Sequence, residues 1–164
     1  MKVIKAKTAG FCFGVKRAVD TVYKQVDTKC GQIYTYGPII HNEEVIKDMR
    51  DKGVIVLRSE EDLDMISQGT VIIRSHGVEK RIYEKIEQKG LRIVDATCPF
   101  VKKIHNIVSE KSGEGFHIII IGNPEHPEVV GIKGWAKDNV TVIQSAEDAE
   151  CFTCLLYTSP SPRD

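Results

Sequence analysis

Short runs of apolar residues alternate with amphipathic stretches along most of this chain. The apolar runs are rich in β-branched residues and end at glycine or polar residues, which is typical of strands. The amphipathic stretches carry helix start and stop signals, such as Asn42 before one helix and Gly53 after it. These patterns predict strands over residues 2–7, 33–36, 54–57, 70–73, 91–94, 117–121 and 140–143. They predict helices over residues 15–26, 43–50, 79–88, 99–111 and 128–136, with a further short helix after Ser59.

The alternation of strands and helices predicts the fold class. Strands followed closely by helices favour an α/β fold of right-handed βαβ units with parallel sheets. A boundary between two such units is expected near Thr97, so that residues 1–97 form a first unit and residues 98–152 part of a second. Residues 153–164 have no periodicity and contain two Ser-Pro pairs, which break regular structure. This tail is predicted to be a disordered linker or a non-native end.

Two of the strand–helix junctions carry the same short motif. Cys12 begins the pattern Cys-x-x-Val-Lys-Arg, and Cys98, 86 residues later, begins Cys-x-x-Val-Lys-Lys. A repeat at this interval indicates a duplicated α/β unit. The unpaired N–H groups at a helix amino end favour a thiolate there. The pair therefore predicts a ligand shared on a pseudo-symmetry axis; the alternative for either residue is a free cysteine buried in a tight turn.

Composition narrows the possible classes of function. The 164 residues, of which 41% are hydrophobic and 28% charged, are typical of a soluble globular protein. The 23 basic and 23 acidic residues cancel, which argues against a broad nucleic-acid or membrane footprint. No signal peptide or membrane-spanning run is recognisable, which predicts a cytoplasmic protein. In that compartment the five cysteines favour metal ligation, catalysis or core packing over disulfides.

The loops after the predicted strands collect side chains with useful chemistry. Ligands of open α/β sheets bind beyond the carboxyl ends of the strands, where these loops lie. The residues in such loops are Cys12, His41, His76, Cys98, His126 and Glu128. Thiolates suit zinc or an iron–sulfur cluster, whereas histidines beside helix amino ends suit a phosphate or diphosphate.

Neither a Walker A loop nor a GxGxxG motif is present, so a nucleotide is not the expected ligand. Glu128 has two open interpretations: a proton donor, or a first-turn carboxylate that interacts with its helix dipole. Cys151 and Cys154 form a C-x-x-C pair that lacks a second half downstream, and we assign it no role. A zinc- or phosphate-binding α/β module without redox catalysis is the alternative to an iron–sulfur protein.

Five stretches, taken together and in order, resemble the 4-hydroxy-3-methylbut-2-enyl diphosphate reductase (LytB/IspH) family. They are GFCFGVKRAV from Gly10, GPIIHN from Gly37, SHGV from Ser75, DATCPFVKK from Asp95 and GNPEHPEV from Gly122. They cover residues 1 to about 150. The resemblance implies a trefoil of three similar α/β units around a [4Fe–4S] cluster that is held by one cysteine from each unit.

The same resemblance implies residue roles. Cys12 and Cys98 match two cluster ligands, the three loop histidines His41, His76 and His126 match those that line the diphosphate pocket, and Glu128 matches the acid that protonates the departing hydroxyl. The implied reaction consumes two electrons and two protons, releases water, and gives isopentenyl and dimethylallyl diphosphate, with ferredoxin or flavodoxin as the electron donor.

The third cysteine of the family is expected in a third unit beyond residue 164. The chain is therefore expected to be the amino-terminal part of the enzyme and to be inactive by itself.

Overall fold

Seven helices and six strands alternate along the part of the chain that the computed structural model describes, which is residues 2–7, 9–28 and 31–152. The helices are α1 (Phe13–Thr28), α2 (Glu43–Asp51), α3 (Glu60–Asp64), α4 (Lys80–Gln88), α5 (Pro99–Gly113), α6 (Pro127–Lys133) and α7 (Ala146–Cys151). The strands are β1 (Ile33–Tyr36), β2 (Ile55–Leu57), β3 (Thr70–Ile73), β4 (Arg92–Asp95), β5 (Ile118–Ile121) and β6 (Val140–Ile143).

The strands form two parallel sheets, which confirms the predicted α/β class. The first sheet has the order β2-β1-β3-β4, and the second pairs β5 with β6. Every residue of the central strand β3 is buried. Ile72 packs in one apolar cluster with helices α1 and α2, while Val71 and Ile73 pack in another with α3 and α4. Helices thus cover both faces of the first sheet, as parallel strands require.

The predicted strand over residues 2–7 is wrong. None of these residues is in a strand and all of them are exposed. Its Val3 and Ile4 are compatible with a strand, but a strand persists only where a neighbouring strand satisfies its backbone N–H and C=O groups.

Helix α7 was not predicted, although its start signal is readable. Ser145 accepts a hydrogen bond from the Asp148 N–H, and the Asp148 side chain accepts one from the Ser145 N–H, which is a reciprocal capping box. The other elements agree with the sequence prediction to within a few residues; α6 is shorter than expected and ends at Lys133.

Two further predictions remain open. The tail over residues 153–164 lies outside the described residues. The division of the chain near Thr97 also stays a prediction. In the structure, β4 is the last strand of the first sheet along the chain and β5 is the first strand of the second sheet. Among the described residues, no helix has the length and apolar character needed to cross a membrane.

Candidate functional site

Three of the predicted histidines meet at one edge of the molecule. His41 follows β1, His76 follows β3, and His126 follows β5. The ring centroids of His41 and His76 lie 5.0 Å apart, and those of His76 and His126 lie 6.1 Å apart. The structure thus brings together imidazoles from both sheets, with His76 in the middle.

The environment of His76 keeps its imidazole neutral at pH 7. Burial, followed by the charges of His41, Arg74 and His126, lowers the pKa of His76 from 6.5 to about 4. His76 is partly buried, whereas His41 and His126 are exposed. A neutral imidazole both donates and accepts a hydrogen bond, and it gains a full positive charge if an anion raises its pKa.

His126 is also the N-cap of helix α6. Its Nδ1 accepts a hydrogen bond from the Glu128 N–H at 3.2 Å. Because Nδ1 acts as the acceptor, a neutral His126 carries its hydrogen on Nε2 and presents that nitrogen as a donor. Glu128 lies in the first turn of α6, partly buried and two residues from His126.

The two cysteines occupy equivalent positions. Each immediately precedes a helix, α1 for Cys12 and α5 for Cys98. The carbonyl of each cysteine accepts a hydrogen bond of 2.9 Å from the backbone N–H of the lysine four residues later. A Cβ atom added to Gly14 would lie 2.6 Å from Cys98 Sγ. The backbone two residues after Cys12 is therefore in contact with the Cys98 thiol, and only a residue without a side chain fits at position 14.

Ser75 joins the loops of the site, a role that the sequence did not reveal. Its Oγ donates a hydrogen bond of 3.1 Å to Ile39 O in the His41 loop, and its carbonyl accepts one of 2.9 Å from Cys98 N. Ser75 is 5% exposed. The residue before His76 thus ties the His41 and Cys98 loops to the end of β3.

Arg17 links the two cysteine junctions. Its guanidinium donates hydrogen bonds to Thr97 O at 2.7 Å and Asp95 O at 3.2 Å. The Asp95 carboxylate in turn accepts from the Thr97 N–H at 2.9 Å and from Lys102 at 2.6 Å. Burial disfavours ionisation of Asp95, but these hydrogen bonds outweigh it and hold its pKa below the usual value. Arg17 is the last residue of the repeated motif Cys-x-x-Val-Lys-Arg, so the sequence marked this position, although it did not reveal the carbonyl groups to which Arg17 bonds.

The donor atoms fit part of a soft-metal site. Cys12 and Cys98 are both free thiols, and soft thiolates are the ligands of iron–sulfur clusters. Within the described ranges, no group of three or more His, Cys, Asp or Glu side chains is arranged to hold a metal ion. The described residues therefore supply two thiols at neighbouring junctions, which suffices for part of a cluster's ligand set.

Comparison with known proteins gives one consistent result. Residues 3–159 match the family model described as "LytB protein". A "4-hydroxy-3-methylbut-2-enyl diphosphate reductase" of Caldanaerobacter subterraneus subsp. tengcongensis is 48% identical over 151 residues, which are 92% of this chain and 52% of that protein. The protein of the same name from Clostridioides difficile is 45% identical over 92% of this chain and 53% of its own length.

Solved structures agree. The "E-1-hydroxy-2-methyl-but-2-enyl-4-diphosphate reductase" of Plasmodium falciparum superposes with a TM-score of 0.84 at 32% identity, over 90% of this chain and 46% of the other. A second structure, of "(E)-4-Hydroxy-3-methyl-but-2-enyl Diphosphate Reductase", gives a TM-score of 0.75 at 39% identity, over 89% of this chain and 52% of the other. The chain spans about half the length of the relatives that it matches. By sequence and by fold, the chain belongs to the LytB family.

Proposed function

We propose that this chain is part of a reductase that removes the 4-hydroxyl group of (E)-4-hydroxy-3-methylbut-2-enyl diphosphate. The reaction takes up two electrons and two protons, breaks the C4–O bond, and gives water with isopentenyl or dimethylallyl diphosphate. The observation that carries the proposal is the convergence of His41, His76 and His126 on the side of the molecule where the loop of Cys98 is tied to the loop of His76.

Cys12 and Cys98 are proposed to hold two irons of a [4Fe–4S] cluster, with a third ligand from outside this chain. Such a cluster, when bound, delivers electrons and acts as a Lewis acid. The protein's own contribution is to fix the two thiols. The contact of Gly14 with Cys98 and the Arg17 hydrogen bonds hold the two junctions together.

The three histidines are proposed to bind the diphosphate. Nε2 of His126 is available as a donor because Nδ1 is engaged at the helix cap. His76, neutral in the free protein, gains a proton when an anion offsets the burial that lowers its pKa. Binding of diphosphate below neutral pH is therefore expected to take up protons.

Glu128 is proposed to donate the proton that leaves with the hydroxyl group as water. Its position in the first turn of α6, two residues from His126, supports this role. A ferredoxin or flavodoxin is the proposed electron donor, and the cytoplasm the proposed compartment.

Metal and sulfide analysis of protein purified without oxygen tests the cluster. In protein that includes the third ligand, we expect iron with acid-labile sulfide in the wild type and its loss in Cys12→Ala and Cys98→Ala. Cys151→Ala is the matched control, because Cys151 is also a free thiol but lies in α7. Stoichiometric zinc without sulfide would contradict the proposal and favour a zinc-binding module.

Titration with inorganic diphosphate, followed by imidazole NMR signals, tests the histidines separately. We expect shifts for His41, His76 and His126, and at least tenfold weaker binding for His76→Ala, since a hydrogen bond to a charged group contributes about 1.5–3 kcal/mol. His117→Ala is the control, because His117 precedes β5 at the opposite end of that strand and bonds to Thr141. Equal losses in both variants would contradict a histidine site.

A further inference from the structure

Helix α6 packs on the short segment that follows His76, and this contact involves both sheets. We propose that Gly134 and Trp135 are positioning residues, which set the separation of His76 and His126 by clamping α6 to residues 76–79. The inference rests on the proposed function only in naming diphosphate as the ligand that needs this separation.

The closest approach is between Gly134 and Glu79. A Cβ atom added to Gly134 would lie 2.4 Å from both Cβ and Cγ of Glu79 and 2.9 Å from its Cα. The Lys80 N–H also donates a hydrogen bond of 3.4 Å to Gly134 O. Gly134 has φ −70, which any residue can adopt, so the need for glycine here comes from contact and not from backbone strain.

Trp135 adds a directional contact next to it. Its Nε1 donates a hydrogen bond of 2.9 Å to Val78 O. Its ring stacks on His105 with centroids 5.2 Å apart and planes 17° apart, and it meets Tyr83 edge-on at 5.7 Å. Because rings on two helices hold the indole, its N–H is fixed in direction as well as in distance.

Helix α5 encloses the other side of residues 76–79, since a Cβ added to Gly77 would lie 2.5 Å from Cε1 of His105. On the α6 side, a Cβ added to Gly131 would lie 3.6 Å from His76 O. His105 is 1% exposed, and its Nε2 has no hydrogen-bond partner within the described chain, so it serves here as a packing surface. Residues 76–79 are thus held between α5 and the last turn of α6.

These contacts act on the site through the helix. His126 is the N-cap of α6, Gly134 is its C-cap, and the eight residue steps between them span about 12 Å. A shift at Gly134 therefore moves His126, whereas His76 stays with the first sheet through Ser75. A two-point contact to diphosphate depends on that separation, because misplacement of about 1 Å is enough to weaken or misalign such contacts.

The test compares two glycines of α6 in the 164-residue chain. Gly134→Ala is expected to displace α6, because part of the obstruction is Glu79 backbone, and to weaken binding of inorganic diphosphate about tenfold. Gly131→Ala is the matched control: its new Cβ meets only ordinary contacts of 3.6–3.7 Å, so binding should change less than twofold. Backbone residual dipolar couplings report independently whether the β5–β6 sheet has turned relative to the β1–β4 sheet.

A rescue separates positioning from general loss of stability. Glu79→Gly removes the Cβ and Cγ that obstruct the methyl group introduced by Gly134→Ala and leaves only the contact with Glu79 Cα, so the double variant should recover part of the binding and of the couplings of the wild type. Glu79→Gly alone loses its ion pair with Arg81 and is the reference against which the effect of Gly134→Ala in the double variant is measured. Unchanged couplings and affinity in Gly134→Ala would overturn the inference.

Two further outcomes are decisive. If Gly134→Ala does not fold, Trp135→Phe is the test, because it keeps an aromatic ring but loses the hydrogen bond to Val78 O. It should weaken diphosphate binding about threefold. Unchanged binding in Trp135→Phe would overturn the clamp. If wild-type protein binds no diphosphate, the histidine role fails, while altered couplings in Gly134→Ala would still support the clamp.

Discussion

The two cysteine junctions share a sequence motif but differ in surroundings. Cys98 follows the paired strand β4, and its N–H donates to Ser75 O. Cys12 is exposed and follows residues 2–7 and 9–11, which are exposed and of which none lies in a strand. Both precede helices of similar length, 16 residues in α1 and 15 in α5.

The difference teaches what the motif specifies. Cys-x-x-Val-Lys stands at the start of a helix in both places. Cys98 is held in addition by the preceding strand β4 and by the hydrogen bond from its N–H to Ser75 O. The Cys98 junction also receives the guanidinium of Arg17, so the first junction depends on the second for its placement.

Among the substitutions at neutral pH, the largest effect is expected from Asp95→Ala. This substitution removes the acceptor for the Thr97 N–H and for Lys102 in partly buried surroundings, and should lower the free energy of unfolding by about 2–3 kcal/mol. Asp20→Ala is the matched change near Cys12; it removes only an exposed pair with Lys16 and should cost at most about 0.5 kcal/mol. Urea unfolding measures both, and equal losses would remove the asymmetry.

The second prediction concerns a buried histidine, His105, which α5 has and α1 lacks. His105, seven residues after Cys98, corresponds to Val19, seven after Cys12. Burial is the main cause that lowers the pKa of His105 from 6.5 to about 4, as it does for His76. Below pH 6.5 the unfolded chain therefore binds protons that the folded chain does not, and the free energy of unfolding falls as the pH drops from 6.5 to about 4.

The slope of that fall should approach about two protons per molecule from these two histidines near the middle of this range and should fade to zero over roughly one to two pH units above 6.5. His105→Val makes α5 resemble α1 at this position and should reduce the slope by about one proton. Urea unfolding at several pH values measures it. A slope that His105→Val leaves unchanged would show that His105 does not contribute to the acid sensitivity.

A smaller effect is expected where the two junctions touch. Gly14→Ala places a Cβ 2.6 Å from Cys98 Sγ and should destabilise the chain by about 1–2 kcal/mol, since the crowding outweighs the gain in helix propensity. Gly113→Ala, at the end of α5, meets nothing nearer than Lys137 Nζ at 4.0 Å and should be neutral or slightly stabilising. Destabilisation of the same size in both variants would contradict close contact of the junctions.

The smallest effect is a difference in thiol reactivity. Cys12 is exposed and Cys98 partly buried, so iodoacetamide should alkylate Cys12 several-fold faster in the folded chain. Mass spectrometry of the resulting peptides reads each site separately. Asp95→Ala should narrow the gap by loosening the Cys98 junction; equal rates in the wild-type chain would refute the difference.

Much of the fold was readable from the sequence. Strands β1, β3 and β6 begin and end where the apolar runs predicted, and Asn42, Ser59 and Pro99 mark helix starts. These features are local: a capping side chain acts within a few residues, and a buried strand shows in its own composition. The repeat likewise predicted that the two cysteines take equivalent helix-start positions.

Three features were decided only by the tertiary structure. They are the absence of a strand over residues 2–7, the hydrogen bonds of Ser75 between the loops of the site, and the contact of Trp135 with Val78. A strand needs a neighbouring strand for its hydrogen bonds, and whether one is available depends on the rest of the fold. Ser75 and Trp135 act through backbone carbonyls of residues distant in sequence, Ile39 and Val78, which offer no side-chain pattern to read. The sequence by itself determined which chemical groups stand at the strand ends; tertiary packing decided how far apart they lie, because those distances are set by contacts between separate segments.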